Sequence, residues 1–234
     1  GLTYVPEQQV GAWHQHDTDG VFESCAVVAE GSEDVLYCVV KRYINGVWTR
    51  FVERMDTHNF SDLIDAFFVD CGLTYSGTPA TTISGLSHLE GKTVSVFADG
   101  AVQAQKVVTG GAITLDVAAS KVHVGLPILA DAETLPLAAQ IDSAFGQGRT
   151  KNVNKAWLRV FRSSGIFVGP NSSQLTEIKP RRTEPYGSPP TLVSEELQLV
   201  ISPLWSSGGS VFIRQSDPVP ATISSLTLEV AIGG

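Results

Sequence analysis

Valine, isoleucine, threonine and aromatic residues recur in runs of about five to eight, and Gly, Pro, Asn, Asp or Ser separates the runs along almost the whole chain. That punctuation restricts the fold to many short strands. β-Branched and aromatic side chains fit a pleated, half-buried surface, while the punctuating residues supply the backbone angles that turns need. The fold class expected is mainly β, in several small antiparallel modules. Apolar stretches at 22–28 and 35–43 flank Glu30-Gly31-Ser32-Glu33-Asp34 and should fold back as a hairpin. Tyr43-Ile44-Asn45-Gly46-Val47-Trp48 places Asn-Gly between β-prone neighbours, a strong hairpin signal because both residues accept φ > 0. Residues 22–54 then form a three-stranded meander within a first domain, 1–60.

The alternation lapses over 56–67, which reads as a linker, and returns from 69 to 124. Asp99-Gly100 marks another hairpin corner and Thr109-Gly110-Gly111 a further break. About five strands fit here, the size of a small barrel or sandwich, and define a second domain at 61–130. A third domain, 131–234, opens on a helix candidate at 131–148, where Leu135, Leu137, Ala138, Ala139, Ile141, Ala144 and Phe145 suit a helix and Pro136 opposes one. The remainder is strand-rich and reads as a C-terminal β-sandwich. Pro180, Pro185, Pro189 and Pro190 forbid continuous ladder pairing over 179–190, so that stretch is expected to be a long surface loop.

Net charge is −8 at pH 7, which opposes any function that grips phosphates through bulk basic charge. The excess is uneven. Residues 1–60 hold nine acids and four bases, 61–130 six and three, and 131–234 nine of each. No uninterrupted apolar run approaches the ~20 residues of a membrane helix. The chain begins Gly1-Leu2 without an initiator Met, as expected of a segment of a longer polypeptide.

Few residues form a chemical constellation. His14 and His16 stand at i and i+2 with Asp17 and Asp19 nearby, but no third His or Cys stands at a supporting spacing, so no metal site is expected. Asp17-Thr18-Asp19-Gly20 begins like a calcium loop, yet its glycine is at position four of the loop instead of six. There is no Gly-x-Ser-x-Gly elbow, no HExxH helix and no phosphate-cradling loop, so neither an enzyme nor a cofactor is expected. Trp13, Trp48, Trp157 and Trp205 read as core residues, with sugar stacking as their other use. Cys25, Cys38 and Cys71 include no Cys-x-x-Cys pair. If the first hairpin centres on Gly31 and Ser32, Cys25 faces Cys38 directly across the strands. Two readings follow, a cross-strand bridge or two small buried thiols kept reduced.

The stretch Leu2-Thr3-Tyr4-Val5-Pro6-Glu7-Gln8-Gln9-Val10-Gly11-Ala12-Trp13-His14, then Asp19-Gly20-Val21-Phe22-Glu23-Ser24, resembles the tail nozzle proteins (tail tubular protein B class) of short-tailed bacteriophages. Similar chains continue into a meander of the form EDxxYxVVKRxINGxxxRxxE, here Glu33-Asp34 through Glu53. The likeness resumes at Phe68-Val69-Asp70-Cys71-Gly72-Leu73-Thr74-Tyr75, His88-Leu89-Glu90-Gly91-Lys92-Thr93-Val94, Lys121-Val122-His123-Val124-Gly125-Leu126-Pro127 and Phe212-Ile213-Arg214-Gln215. It spans nearly the whole chain, and the order and number of the pieces are its specific part.

The resemblance implies a virion structural protein without enzymatic activity, cofactor or bound metal. Such proteins form a homo-hexameric ring at the distal end of the tail, through which DNA is ejected. The meander at the front resembles the last propeller-blade-like strands of such a protein's platform, so this chain would be a C-terminal fragment, made in the bacterial cytoplasm and placed in the virion tail. Its partners would be other tail subunits, adaptor proteins and tail-fibre proteins. DNA would pass without specific binding, past a wall whose acidic excess repels it. Two loops are candidates for subunit or fibre contact: the one with His14, His16, Asp17 and Asp19, and the proline-rich one with Arg181, Arg182 and Tyr186. Two rivals compete with this reading. One is a carbohydrate- or receptor-binding β module of a phage tail; the other is a hydrolase with dispersed carboxylates, which needs two acids converging in a pocket.

Overall fold

A computed structural model describes residues 1–138, 140–141, 144–145, 148–179 and 188–233. The protein is mainly β, built from small antiparallel sheets, and among the described residues the helix consists of short 3-10 turns. It divides into two compact units, Gly1–Asp56 and Thr57–Gly234.

In the first unit, β1 (Leu2–Val5) and β2 (Val10–Trp13) form a ribbon. The meander follows as β3 (Val21–Glu30), β4 (Glu33–Ile44) and β5 (Val47–Arg54), with β4 in the centre. Its corners are the expected ones. Glu30 pairs with Glu33 around Gly31, whose φ is +63°, and Ile44 pairs with Val47 around Asn45 and Gly46, with φ of 47° and 80°. Both corners are two-residue loops of the kind whose positive φ matches the twist of the flanking strands. Central β4 buries Val35, Val40, Arg42 and Ile44, whereas β3 is exposed along nearly its whole length.

In the second unit, β6 (Asp70–Ser84), β7 (Thr93–Ala98), β8 (Ala101–Val107) and β9 (Ala112–Leu126) form an open sheet in the order β6-β9-β7-β8. No barrel closes, and four strands stand where about five fitted the turn signals, because β6 and β9 each run 15 residues through register shifts. Ile83, Leu86, Leu89, Val94, Val96, Val122 and Val124 are among the residues of its dry core.

Downstream come β10 (Ala130–Glu133), β11 (Gln140–Ile141), β12 (Ala144–Phe145), β13 (Lys151–Val160), β14 (Ile166–Asn171), β15 (Gln174–Ile178), β16 (Glu196–Val200), β17 (Phe212–Gln215) and β18 (Ile223–Ile232). Sheets β10-β17-β14-β15 and β16-β13-β18 contribute to one apolar cluster, including Ala156, Leu158, Val160, Ile166, Val168 and Ile178. A bulge between Val153 and Lys155 shifts the alternation of β13, so that Val153 and the even-numbered Ala156, Leu158 and Val160 all reach the core.

Two expectations are corrected here. The helix candidate at 131–148 is extended in its described residues: Asp131 to Glu133 pair with β17, and Gln140-Ile141 pair with Ala144-Phe145. Pro136 removes a helical donor, while the Asp131–Arg214 ion pair and the ladder to β17 reward the strand. Nor is the segment after residue 56 a loose linker. Phe60, Leu63, Ala66 and Phe68 pack with Phe97 and Val219. Arg162 lies 4.4 Å over the Phe60 ring and donates to the backbone oxygens of Phe60 and Ser61. His123, buried between Phe67 and Phe97, bonds the Ile64 carbonyl at 2.9 Å and the Thr74 hydroxyl at 2.7 Å. Residues 60–68 therefore join the sheet of 70–126 to the strands beyond residue 130 within one unit.

Candidate functional site

The loop from His14 to Gly20 is fastened to the meander from beneath. Arg42 of β4 is 1% exposed, and its guanidinium takes both oxygens of Glu53 on β5, at 2.6 and 2.7 Å. Its remaining arm donates to the backbone oxygen of Asp19 at 2.9 Å. A buried charge needs such full satisfaction, and the fork geometry of arginine supplies it where lysine cannot. Gly20 completes the join. A side chain there would meet the Lys41 carbonyl at 2.8 Å, so only glycine lets the loop approach β4 this closely.

Above that anchor the predicted residues lie together and exposed. His14, His16, Asp17 and Asp19 all face solvent, and the two imidazoles meet edge to face with centroids 4.8 Å apart. Among the described residues no group of three or more His, Cys, Asp or Glu side chains is arranged to hold a metal ion. Arg181, Arg182 and Tyr186 lie outside the described residues, as does most of the proline-rich stretch; of that stretch Lys179 and 188–190 are described.

Other features of the meander went unread in the sequence. Tyr43 and Trp48 are register partners beside the Asn45-Gly46 corner, with ring centroids 5.3 Å apart, and the Lys41 ammonium lies 5.1 Å from the Trp48 ring. Both aromatic rings are about half exposed. Counting outward from the Asn-Gly corner would have found this pair. Nearby, Arg50 holds Glu23, and Tyr37 and Arg54 both donate to Glu30. The Arg50 bond holds the Glu23 carboxyl below its usual range; the Tyr37 and Arg54 bonds do the same for Glu30.

The expectation of core tryptophans is overturned: Trp13 is 83% exposed, and Trp48 and Trp205 are more than half exposed. Trp48 stands on β5, an edge strand, and Trp13 on a two-stranded ribbon, so both rings lie at the margins of small sheets.

In the second unit a groove of about 330 Å³ runs between β15 and β16, lined by Glu177, Lys179, Glu195, Glu196 and Gln198 among others. Burial, with repulsion from Glu177, pushes the Asp217 carboxyl up, but Asp217 is not among the groove's lining residues. Glu177 links the two features, since it lines the groove and also faces the perturbed Asp217.

Among the described residues, no helix is long and apolar enough to cross a membrane. No protein-family model matches the chain, and no curated protein matches it either.

Proposed function

We propose that this chain is a structural part of the tail nozzle of a short-tailed bacteriophage, a segment of the ring through which DNA leaves the virion. The observation that carries the reading is the work done by the residues on which the resemblance rests. Arg42 and Glu53 of the meander motif form the buried joint beneath the Asp19 loop. Asn45 and Gly46 make its corner. In the second unit, the Glu90 carboxylate accepts the backbone N–H groups of Gly110 and Gly111, and His123 ties Ile64 to Thr74. These residues act as fasteners between segments and are spent on architecture, which suits a ring wall.

Charge supports the same reading. A surplus of acids concentrated before residue 130 repels a passing phosphate backbone instead of holding it. The exposed loop of His14, His16, Asp17 and Asp19 is then a contact surface for neighbouring tail subunits, adaptor or fibre proteins. Mass spectrometry of purified virions tests the proposal: the parent polypeptide should be present at the copy number of a ring. Its absence from particles that retain their tails would overturn the reading.

A second reading, a carbohydrate- or receptor-binding module of a phage tail, is favoured by one observation, the exposed Tyr43–Trp48 pair with Lys41 over the indole. Glycan-array binding that Trp48→Ala abolishes would select it; a blank array with intact folding would remove it.

A further inference from the structure

Cys25 and Cys38 are unbridged direct partners in the β3–β4 ladder. Antiparallel pairs alternate between hydrogen-bonded and non-hydrogen-bonded sites, and the second kind brings the two Cα atoms to about 4.5 Å, against about 5.5 Å for the first. Counting decides which kind this is. Glu30 and Glu33 close a two-residue turn and so form a hydrogen-bonded pair, and the register runs without a shift from there to Cys25↔Cys38, five steps on. An odd number of steps lands on a non-hydrogen-bonded site.

The other side of β4 agrees. The Met55 N–H donates to the Leu36 carbonyl at 2.8 Å, so the even-numbered residues of β4 spend their backbone bonds on β5. Cys38 is two residues along and keeps the same side. Its backbone bonds therefore face Glu53, its register partner on β5, leaving the β3 side of Cys38 unbonded. Disulfides need Cβ atoms about 3.5–4.5 Å apart, and in an antiparallel ladder the non-hydrogen-bonded site is the one that comes close enough.

We infer that Cys25 and Cys38 form a thiol–disulfide exchange site that takes a low-molecular-weight disulfide as oxidant and closes into a cross-strand bridge. Cys25 is the exposed residue and Cys38 the half-buried one. The Cys25 thiolate attacks one sulfur of the small disulfide; that S–S bond breaks and the first small thiolate leaves, to be protonated by solvent. Cys38 then gives up its proton, and its thiolate attacks Cys25 Sγ in the mixed disulfide. The second small thiolate departs and takes up a proton. The protein has lost two electrons and two protons, and the small disulfide has become two thiols. Burial, with Cys25 and Glu53 beside it, pushes the Cys38 thiol up, in keeping with Cys25 reacting first. The product ties an edge strand, otherwise paired on one side only, to the centre of its sheet. As a partly exposed bridge it belongs to the readily reduced class.

The test uses the full chain and oxidised glutathione, followed by acid quench, alkylation under denaturing conditions and cleavage after glutamate. That cleavage places Cys25 in fragment 24–30 and Cys38 in fragment 34–53. The expected product is the two fragments joined, two hydrogens lighter than their sum, with Cys71 still alkylated, and a dithiol reductant restores both thiols. Cys38→Ser should trap glutathione on Cys25. Cys25→Ser should leave Cys38 unmodified over the same period. Lasting glutathionylation of Cys25 in the unsubstituted chain without cross-linking would overturn the inference. So would full alkylation of both cysteines after oxidation, or faster capture of glutathione by Cys38 than by Cys25.

Discussion

The units Gly1–Asp56 and Thr57–Gly234 are both antiparallel β, but different forces hold them. The larger unit buries apolar side chains by the sheetful: Leu86, Leu89, Val94, Val96, Val122 and Val124 in one core, Ala156, Leu158 and Val168 in another, all essentially inaccessible. In the smaller unit the central strand buries Val35, Val40 and Ile44, while Val21, Val27, Val52, Trp13 and Trp48 remain exposed. Its fasteners are two tight corners and the Arg42–Glu53–Asp19 joint. A unit with so little apolar burial has a small margin of stability.

The contrast predicts where a mutation is felt. The largest effect is expected in the second unit, where Leu89→Ala removes a fully buried side chain from the packed cluster and should cost about 2–5 kcal/mol. Amide hydrogen exchange resolved by segment should show β6 to β9 loosening while β3 to β5 keep their protection; equal loss in both units would erase the distinction. Next comes Arg42→Ala. Leaving Glu53 and the Asp19 carbonyl without their buried partner should cost about 3 kcal/mol, confined to residues 1–56. Arg42→Lys should rescue little of it, because a point charge cannot span both carboxylate oxygens and a carbonyl. Full rescue by lysine would mean that charge alone holds the joint.

Gly46→Val should destabilise the meander by on the order of 1 kcal/mol or more, since φ of 80° is strained for a β-branched side chain. An unchanged unfolding midpoint for the first unit would contradict the corner's role. The smallest effect concerns Asp217. Its folded-state pKa lies above the 3.8 of an ordinary aspartate, through burial and then Glu177. As pH rises the unfolded chain releases this proton first, so the native state carries a penalty that grows through that range and persists at neutral pH. Asp217→Asn should therefore raise the melting temperature at pH 7, and the gain should shrink as pH falls below the folded-state pKa. A gain independent of pH would point to packing instead of charge.

What the sequence disclosed was whatever depends on short range. The Asn45-Gly46 and Asp99-Gly100 corners, the Gly31-Ser32 turn and the facing of Cys25 with Cys38 follow from residues a few positions apart, and each stands in the structure. Contacts set by tertiary packing were not legible. Glu53 is not the register partner of Arg42, which pairs with Thr49, so the ion pair lies along the sheet and escapes a counting argument. The segment 56–67 lacks any period, yet Phe60, Leu63 and Ala66 find a core supplied by residues as distant as Val219. At Asp131 to Glu133, helix-compatible composition lost to a ladder whose partner lies some eighty residues downstream. In the candidate site, the co-location of His14 through Asp19 follows from adjacency alone. What orients the loop, Arg42 from below and Gly20 at the contact, needed three-dimensional structure.

Electron microscopy of intact virions labelled with antibody-bound gold against this chain should find the gold at the distal end of the short tail, in a ring around the DNA exit. Gold on the capsid or along the fibres, or no gold on tailed particles, would contradict the claim that these sheets form the wall of the nozzle.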